Sequence, residues 1–307
     1  MNQTLASSLA NQGQQFNNNL LPLIGQLGWG TILWALLFAA VAVVLAIIGL
    51  LVGGVLAGQS LLKGQRLRAV LTDATTYATA VNQFKIKYGD LPGDFPTATN
   101  VWGRMNSNAD CVSNASVAVN GAGTGACDGN GDGFLLYGSA ASRSTEAEQL
   151  WRQLSLAGLI GGQYTGLNGP GNANYDIRPG VNTPVGSLPN STFWFFGYWG
   201  VRGDDGLFFA GDYANTMIFG TALANDWPHG PALLGQEAFE LDAKADDGSP
   251  ATGSIRTLAR SWQLANNAVS CTSSDTGSSA VYTKSDTAPT CFIVFLNTFM
   301  RSKEQLR

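Results

Sequence analysis

From Thr31 to Gly58 the sequence TILWALLFAAVAVVLAIIGLLVGGVLAG contains no Asp, Glu, Lys, Arg or His, and no such residue occurs anywhere before Lys63. As a helix rising about 1.5 Å per residue, this stretch reaches about 42 Å, more than the roughly 30 Å hydrocarbon core of a bilayer. It has no polar face to offer water, so it requires lipid or other apolar helices around it. A cleavable secretory signal would place basic residues before an apolar core of about 7–15 residues, and this chain has neither feature. Gly49, Gly53, Gly54 and Gly58 form two GxxxG spacings, which let two helix backbones approach closely.

The helical period continues beyond the apolar stretch. Leu67, Val70, Leu71, Ala74, Tyr77, Ala78, Val81, Phe84 and Tyr88 recur at three- and four-residue steps, one apolar stripe on an otherwise polar helix. Gly89 is a C-cap and Pro92 cannot continue a helix. The sequence thus divides into a leader or N-terminal extension (1–30), an apolar membrane or filament-core helix (31–62), an amphipathic half of the same helix (63–89) and a globular head (90–307).

Only 12% of residues are charged, 38 are Gly and the net charge is −4. Nucleic-acid binding needs clustered Lys and Arg, so no direct nucleic-acid contact is expected. Lys63, Arg66 and Arg68 follow the apolar stretch and would by themselves hold the head in the cytoplasm. The cysteines and the weakly charged, Gly/Ser/Thr-rich head point instead to an extracellular one. Four cysteines allow three connectivities; the sequence-local one, Cys111 with Cys127 and Cys271 with Cys291, closes two modest loops in segments with little else to order them. Two disulfides imply an oxidising compartment.

In the head, TEAEQLWRQLSLAGLIGG reads as a helix opened by Thr145 and closed by Gly161, with Leu150, Leu154 and Leu159 available for burial. STFWFFGYWGV, GLFFAG and NTMIFG read as three strands of an antiparallel meander, and CFIVFLNTF as a further strand. The expected class is α+β.

The segment IIGLLVGGVLAGQSLLKGQRLRAVLTDATTYATAVNQFKIKYGDLPGDFPTA resembles the N-terminal helix of type IV pilin-like proteins, including type II secretion pseudopilins. The order of NQFKIKYGDLPGD, CDGNGDG, LWRQLSLAGLI, EAFELDAKADDGSPATGSIR and the closing cysteine pair is similar to one bacterial subgroup. The resemblance implies a lollipop: a long N-terminal helix packed on a small antiparallel sheet with a loop-rich, disulfide-braced head. It also implies polymerisation by bundling of the apolar helices. The partners would be further copies and other pilin-like subunits, with the inner membrane and the pilus or secretion assembly machinery before assembly. The family is cut after a Gly, here Gly28 or Gly30, with methylation of the new N-terminus left open, and carries Glu at the fifth mature position. A cut after Gly30 places Ala35 there.

Asp128, Asn130 and Asp132 alternate before Gly133, as in the first half of an EF-hand loop, with Glu146 or Glu148 available to complete a Ca²⁺ shell. The competing reading is an Asp/Asn/Gly turn. Asp242, Asp246 and Asp247 before Gly248 resemble the carboxylate-rich loop of some pseudopilins and form a second candidate Ca²⁺ site, against a solvated turn or an ion pair with Lys244. The sole histidine, His229, sits in DWPHGP and reads as an exposed loop residue; no GxSxG or dinucleotide fingerprint occurs, and no catalytic residue is expected. The leading expectation is a structural filament or pseudopilus subunit, located in the inner membrane and then in an extracellular filament or periplasmic pseudopilus. The alternative is a single-span anchored module whose Gly- and Trp-rich head binds carbohydrate or a surface polymer.

Overall fold

The structure is a computed structural model that describes residues 11, 14–15, 28–105, 125–135, 146–168, 176–259 and 270–296. It is α+β, with an N-terminal apolar helix and a small antiparallel sheet. Helix α1 spans Trp29–Tyr88. It ends where expected: Gly89 adopts φ +86° and donates its N–H to the Lys85 carbonyl at 2.8 Å, a left-handed stop that only glycine adopts without strain.

The chain divides into two compact units, Met1–Lys63 and Gly64–Arg307. In the first, the side chains described from Trp29 to Val55 are exposed throughout, and this stretch is long and apolar enough to cross a membrane.

In the second unit, the α1 residues from Leu67 to Phe84 bury Leu67, Val70, Ala74, Ala78, Val81 and Phe84, the stripe that the 3.6-residue period predicts. Tyr77 meets Trp151 and Phe193 edge-on at 5.0 and 5.2 Å between centroids. Those rings belong to α3 (Glu146–Leu156) and β1 (Ser191–Arg202). Between α1 and α3 lies the short α2 (Ala98–Trp102). Burial of Phe84 between Tyr88, Phe95 and Trp102 makes Phe84→Ala a loss of about 3–5 kcal/mol.

The sheet continues with β2 (Gly211–Thr221), followed by α4 (Gly235–Ala245), β3 (Ile255–Arg256) and β4 (Ile293–Phe295). The strand order is β1-β2-β4-β3, all antiparallel, so the last strand in sequence lies between β2 and β3. Alternation places Phe193, Phe195, Met217, Phe219, Ile293 and Phe295 in the core that also holds the α1 stripe. Trp194, Ile218 and Val294 join Phe208, Tyr213 and Phe292 in another core cluster. Over Phe193–Phe195, Met217–Phe219 and Ile293–Phe295 both side-chain sets are therefore buried, which is why these stretches are continuous apolar runs, whereas Val201 and Arg202 at the end of β1 are exposed.

Three expectations are corrected. GLFFAG is not a strand: Asp205 Oδ1 accepts the N–H of Leu207 and Phe208, and Asp204 Oδ1 accepts that of Ala210, so side chains take the donors a ladder would need. The helix expected to close at Gly161 ends at Leu156 because Gly158 turns left-handed at φ +70°; Thr145 lies outside the described residues. His229 is buried, not exposed: its Nδ1 pairs with the Trp227 carbonyl at 3.0 Å, its ring packs on Trp227, and burial lowers its pKa.

Cys271 and Cys291 form a disulfide with Cα atoms 4.8 Å apart. It closes a 20-residue separation, a constraint worth about 3 kcal/mol through the unfolded chain. Cys127 is buried and disulfide-bonded, and Cys111 lies outside the described residues.

Candidate functional site

The apolar part of α1 is a surface without a cover. A Cβ added at Gly49, Gly53, Gly54 or Gly58 would meet nothing within 4 Å, so the two GxxxG spacings leave room for a neighbouring backbone. Large side chains such as Trp29, Leu50 and Leu51 are 86, 77 and 63% exposed, which in water would be a strong aggregation liability.

The loop at residues 127–133 is organised by backbone donors. Asp128 takes Thr99 N–H at 2.7 Å and Thr99 Oγ1–H at 2.9 Å, satisfying the first turn of α2. Asn130 and Asp132 bond each other (Asn130 Nδ2–H to Asp132 Oδ2, 2.9 Å), while Asp132 Oδ1 accepts Phe134 N–H. Glu146 Oε1 accepts Asn130 N–H at 3.0 Å. The sequence reading missed Asp94 as the hub. Its two oxygens accept Gly131 N–H at 2.6 Å and Gly133 N–H at 2.7 Å, and both glycines have left-handed φ. Burial raises the Asp94 pKa to about 6, while the two N–H donors pull against it and Asp132 and Asp90 add to the rise. Asn215, also missed, clamps the loop's far end by accepting Leu135 N–H and donating to the Gly133 carbonyl. The only signal for Asp94 was its place in LPGD.

The second acidic group is built differently. Asp242, Asp246 and Asp247 bring one carboxylate oxygen each within 4.8 Å of one another, the only such trio of His, Cys, Asp or Glu among the described residues. Asp242 is buried at the end of α4; its oxygens accept Tyr282 O–H at 2.7 Å and Gly248 N–H at 3.1 Å. Asp246 Oδ2 accepts Ser254 and Ile255 N–H, and Asp247 accepts Ser249 N–H and Thr252 Oγ1–H. Burial pushes the Asp242 pKa up to about 7, with the Asp247 and Asp246 charges adding to it and the Tyr282 and Gly248 bonds opposing it. Tyr282 lies between the paired Cys271 and Cys291, so the disulfide loop is tethered to this carboxylate.

Comparison with protein families, curated proteins and solved structures gives no match. The functional reading rests on residues and geometry.

Proposed function

We propose that this chain is a structural subunit of a type IV pilus-like filament or pseudopilus, a lollipop whose apolar helix polymerises with those of neighbouring copies. The observation that carries this reading is the charge-free, exposed Trp29–Val55 stretch with its open glycines, in a chain whose later helical residues bury their own apolar stripe in a disulfide-braced head. The first segment waits in the inner membrane and is then covered by other copies. The role is architectural rather than enzymatic. Asp242, Asp246 and Asp247 would hold a Ca²⁺: the donors are hard oxygens, and a cation would offset the burial and, to a lesser degree, the Asp247 and Asp246 charges that raise the Asp242 pKa.

A second reading, a single-span anchor bearing a carbohydrate- or polymer-binding head, is favoured by one observation. No carboxylate precedes Asp73, so the pairing of a helix Glu with a neighbour's N-terminal amine is not open to this chain. Electron microscopy of sheared surface material tests the two. Filaments containing the chain, lost on Gly53→Leu, support the first reading; dispersed monomer in membranes, unaffected by Gly53→Leu, supports the second.

A further inference from the structure

Within the second unit, the face of α1 opposite its buried stripe does not have the composition of a solvated helix face. Arg68, Thr72, Thr75, Thr79 and Ile86 follow one another along it at three-, four- and seven-residue steps, and no charged residue lies on this line between Arg68 and Lys87. Exposed helix faces are ordinarily rich in Glu and Lys, and threonine is a poor helix former. The hydroxyls are turned inward: Thr72, Thr75 and Thr76 donate to the carbonyls of Arg68, Leu71 and Thr72 at 2.8–2.9 Å. With the donors satisfied within the helix, the outer surface is largely methyl. Thr72, Thr75, Thr76, Thr79 and Gln83, together with Leu159 from beyond α3, line an open groove of about 550 Å³. Ile86, farther along, is 86% exposed.

We infer that this groove is an assembly surface that receives the head of a second copy of the chain, a contact additional to the apolar helix bundle and resting on the filament reading above. The occupant follows from charge. Residues 64–88 carry four Lys or Arg and one Asp, whereas residues 89–307 carry twelve Lys or Arg and twenty Asp or Glu. The one carboxylate of the helical segment, Asp73, is engaged by Ser187 Oγ. The groove is thus bracketed by exposed Arg68 and Lys87, and the chain's own head supplies complementary negative charge. Groove and head are different patches, so the contact is heterologous and leaves each copy with a free groove or a free head, the arrangement that extends into a filament rather than closing as a dimer.

The test uses full-length chain in the cells that make it, with a photo-crosslinking benzoylphenylalanine at position 79. The expected product is an adduct of twice the mass of the mature chain, joined to a peptide from residues 90–307. Thr75→Arg/Thr79→Arg should lower sedimentable polymer at least tenfold while the Cys271–Cys291 disulfide still forms. Thr75→Val/Thr79→Val, which keeps the methyl surface, should leave polymer intact. Raising NaCl from about 50 to about 500 mM should weaken the adduct, because the bracketing charges are exposed and screened. Polymer that persists in the arginine variant, or an adduct with a different protein, overturns this inference and leaves the filament reading standing. Absence of any polymer from the wild-type chain overturns both.

Discussion

Residues 127–133 and 242–248 are both short, acidic and glycine-containing, and N–H and hydroxyl donors meet the carboxylates of both, yet the carboxylates are placed differently. In the first loop nearly every carboxylate oxygen faces an N–H or hydroxyl: Asp128 faces Thr99, Asp132 faces Phe134 and Asn130, and Asp94 reaches in from outside to take two glycine amides. In the second, three carboxylates converge within 4.8 Å and one of them is buried. Alternation in DGNGDG spaces its acidic groups along a turn, and the less regular DAKADDG brings three carboxylates together. What separates them is the convergence of carboxylates, since Tyr282, Gly248, Ser249, Thr252, Ser254 and Ile255 supply donors to the second group as well, and spacing within the motif does not encode that convergence.

The largest effect expected from this contrast is at Asp94. Asp94→Ala strands the Gly133 amide in a site where the replaced side chain is 1% exposed, and leaves the Gly131 N–H with only the Asp94 backbone carbonyl at 3.1 Å. Leaving a buried donor unsatisfied costs about 1–3 kcal/mol, so a loss of about 2 kcal/mol is expected by urea denaturation. A loss below about 1 kcal/mol would mean that the first loop is not organised by this carboxylate.

Next in size is the response to calcium. Added Ca²⁺ should raise Tm by several degrees over EDTA-treated protein, since a ligand that binds only the folded chain stabilises it in proportion to occupancy. Asp247→Asn, at an exposed position, should remove most of that rise, and Asp132→Asn should leave it in place. The reverse pattern would transfer the site to the first loop.

The pH dependence sharpens the same contrast. Asp242 titrates at about 7 and Asp94 at about 6 in the folded chain, against 3.8 for an ordinary aspartate. The folded state therefore binds more protons than the unfolded state between about pH 4 and 7, and stability falls as pH rises through that window. In EDTA, Tm should fall from pH 5 to 7 and level off above it. Saturating Ca²⁺ should flatten the upper part of the slope, which belongs to Asp242, and leave the lower part, which belongs to Asp94.

Much of the helix was legible because its signal is local. The Leu67–Phe84 stripe repeats with the helix itself, and Gly89 stops it by its own φ. The strands at Phe193 and Phe219 were legible as aromatic runs, but their order was not: β4 lies between β2 and β3 through pairs such as Met217 with Phe295, which no local pattern specifies. GLFFAG has the side chains of a strand, yet Asp204 and Asp205 take its amides. Asp94 was illegible as a hub for a related reason, since its partners lie 37 and 39 residues away. His229 failed in the opposite sense: a Pro- and Gly-flanked histidine in a loop is buried because Trp227 and Phe292 close over it.

The smallest effect is at Asp128, and it divides the two readings of the first loop. If Asp128 serves chiefly as an acceptor for the first turn of α2, then Asp128→Ala should cost about 1 kcal/mol, the usual value of a helix N-terminal cap. Thr99→Val should cost less, because it removes the Oγ1 donor but keeps the backbone N–H bond to Asp128. Combining the two should give less than the sum, since both remove the same hydroxyl–carboxylate contact. None of the three should change the calcium-induced rise in Tm. A metal ligand at Asp128 would behave otherwise: its loss would abolish the calcium response while Thr99→Val, by releasing a carboxylate oxygen, would preserve or strengthen it. Thermal melts of these variants with Ca²⁺ and with EDTA therefore distinguish an acidic loop built around backbone donors from one built around a cation.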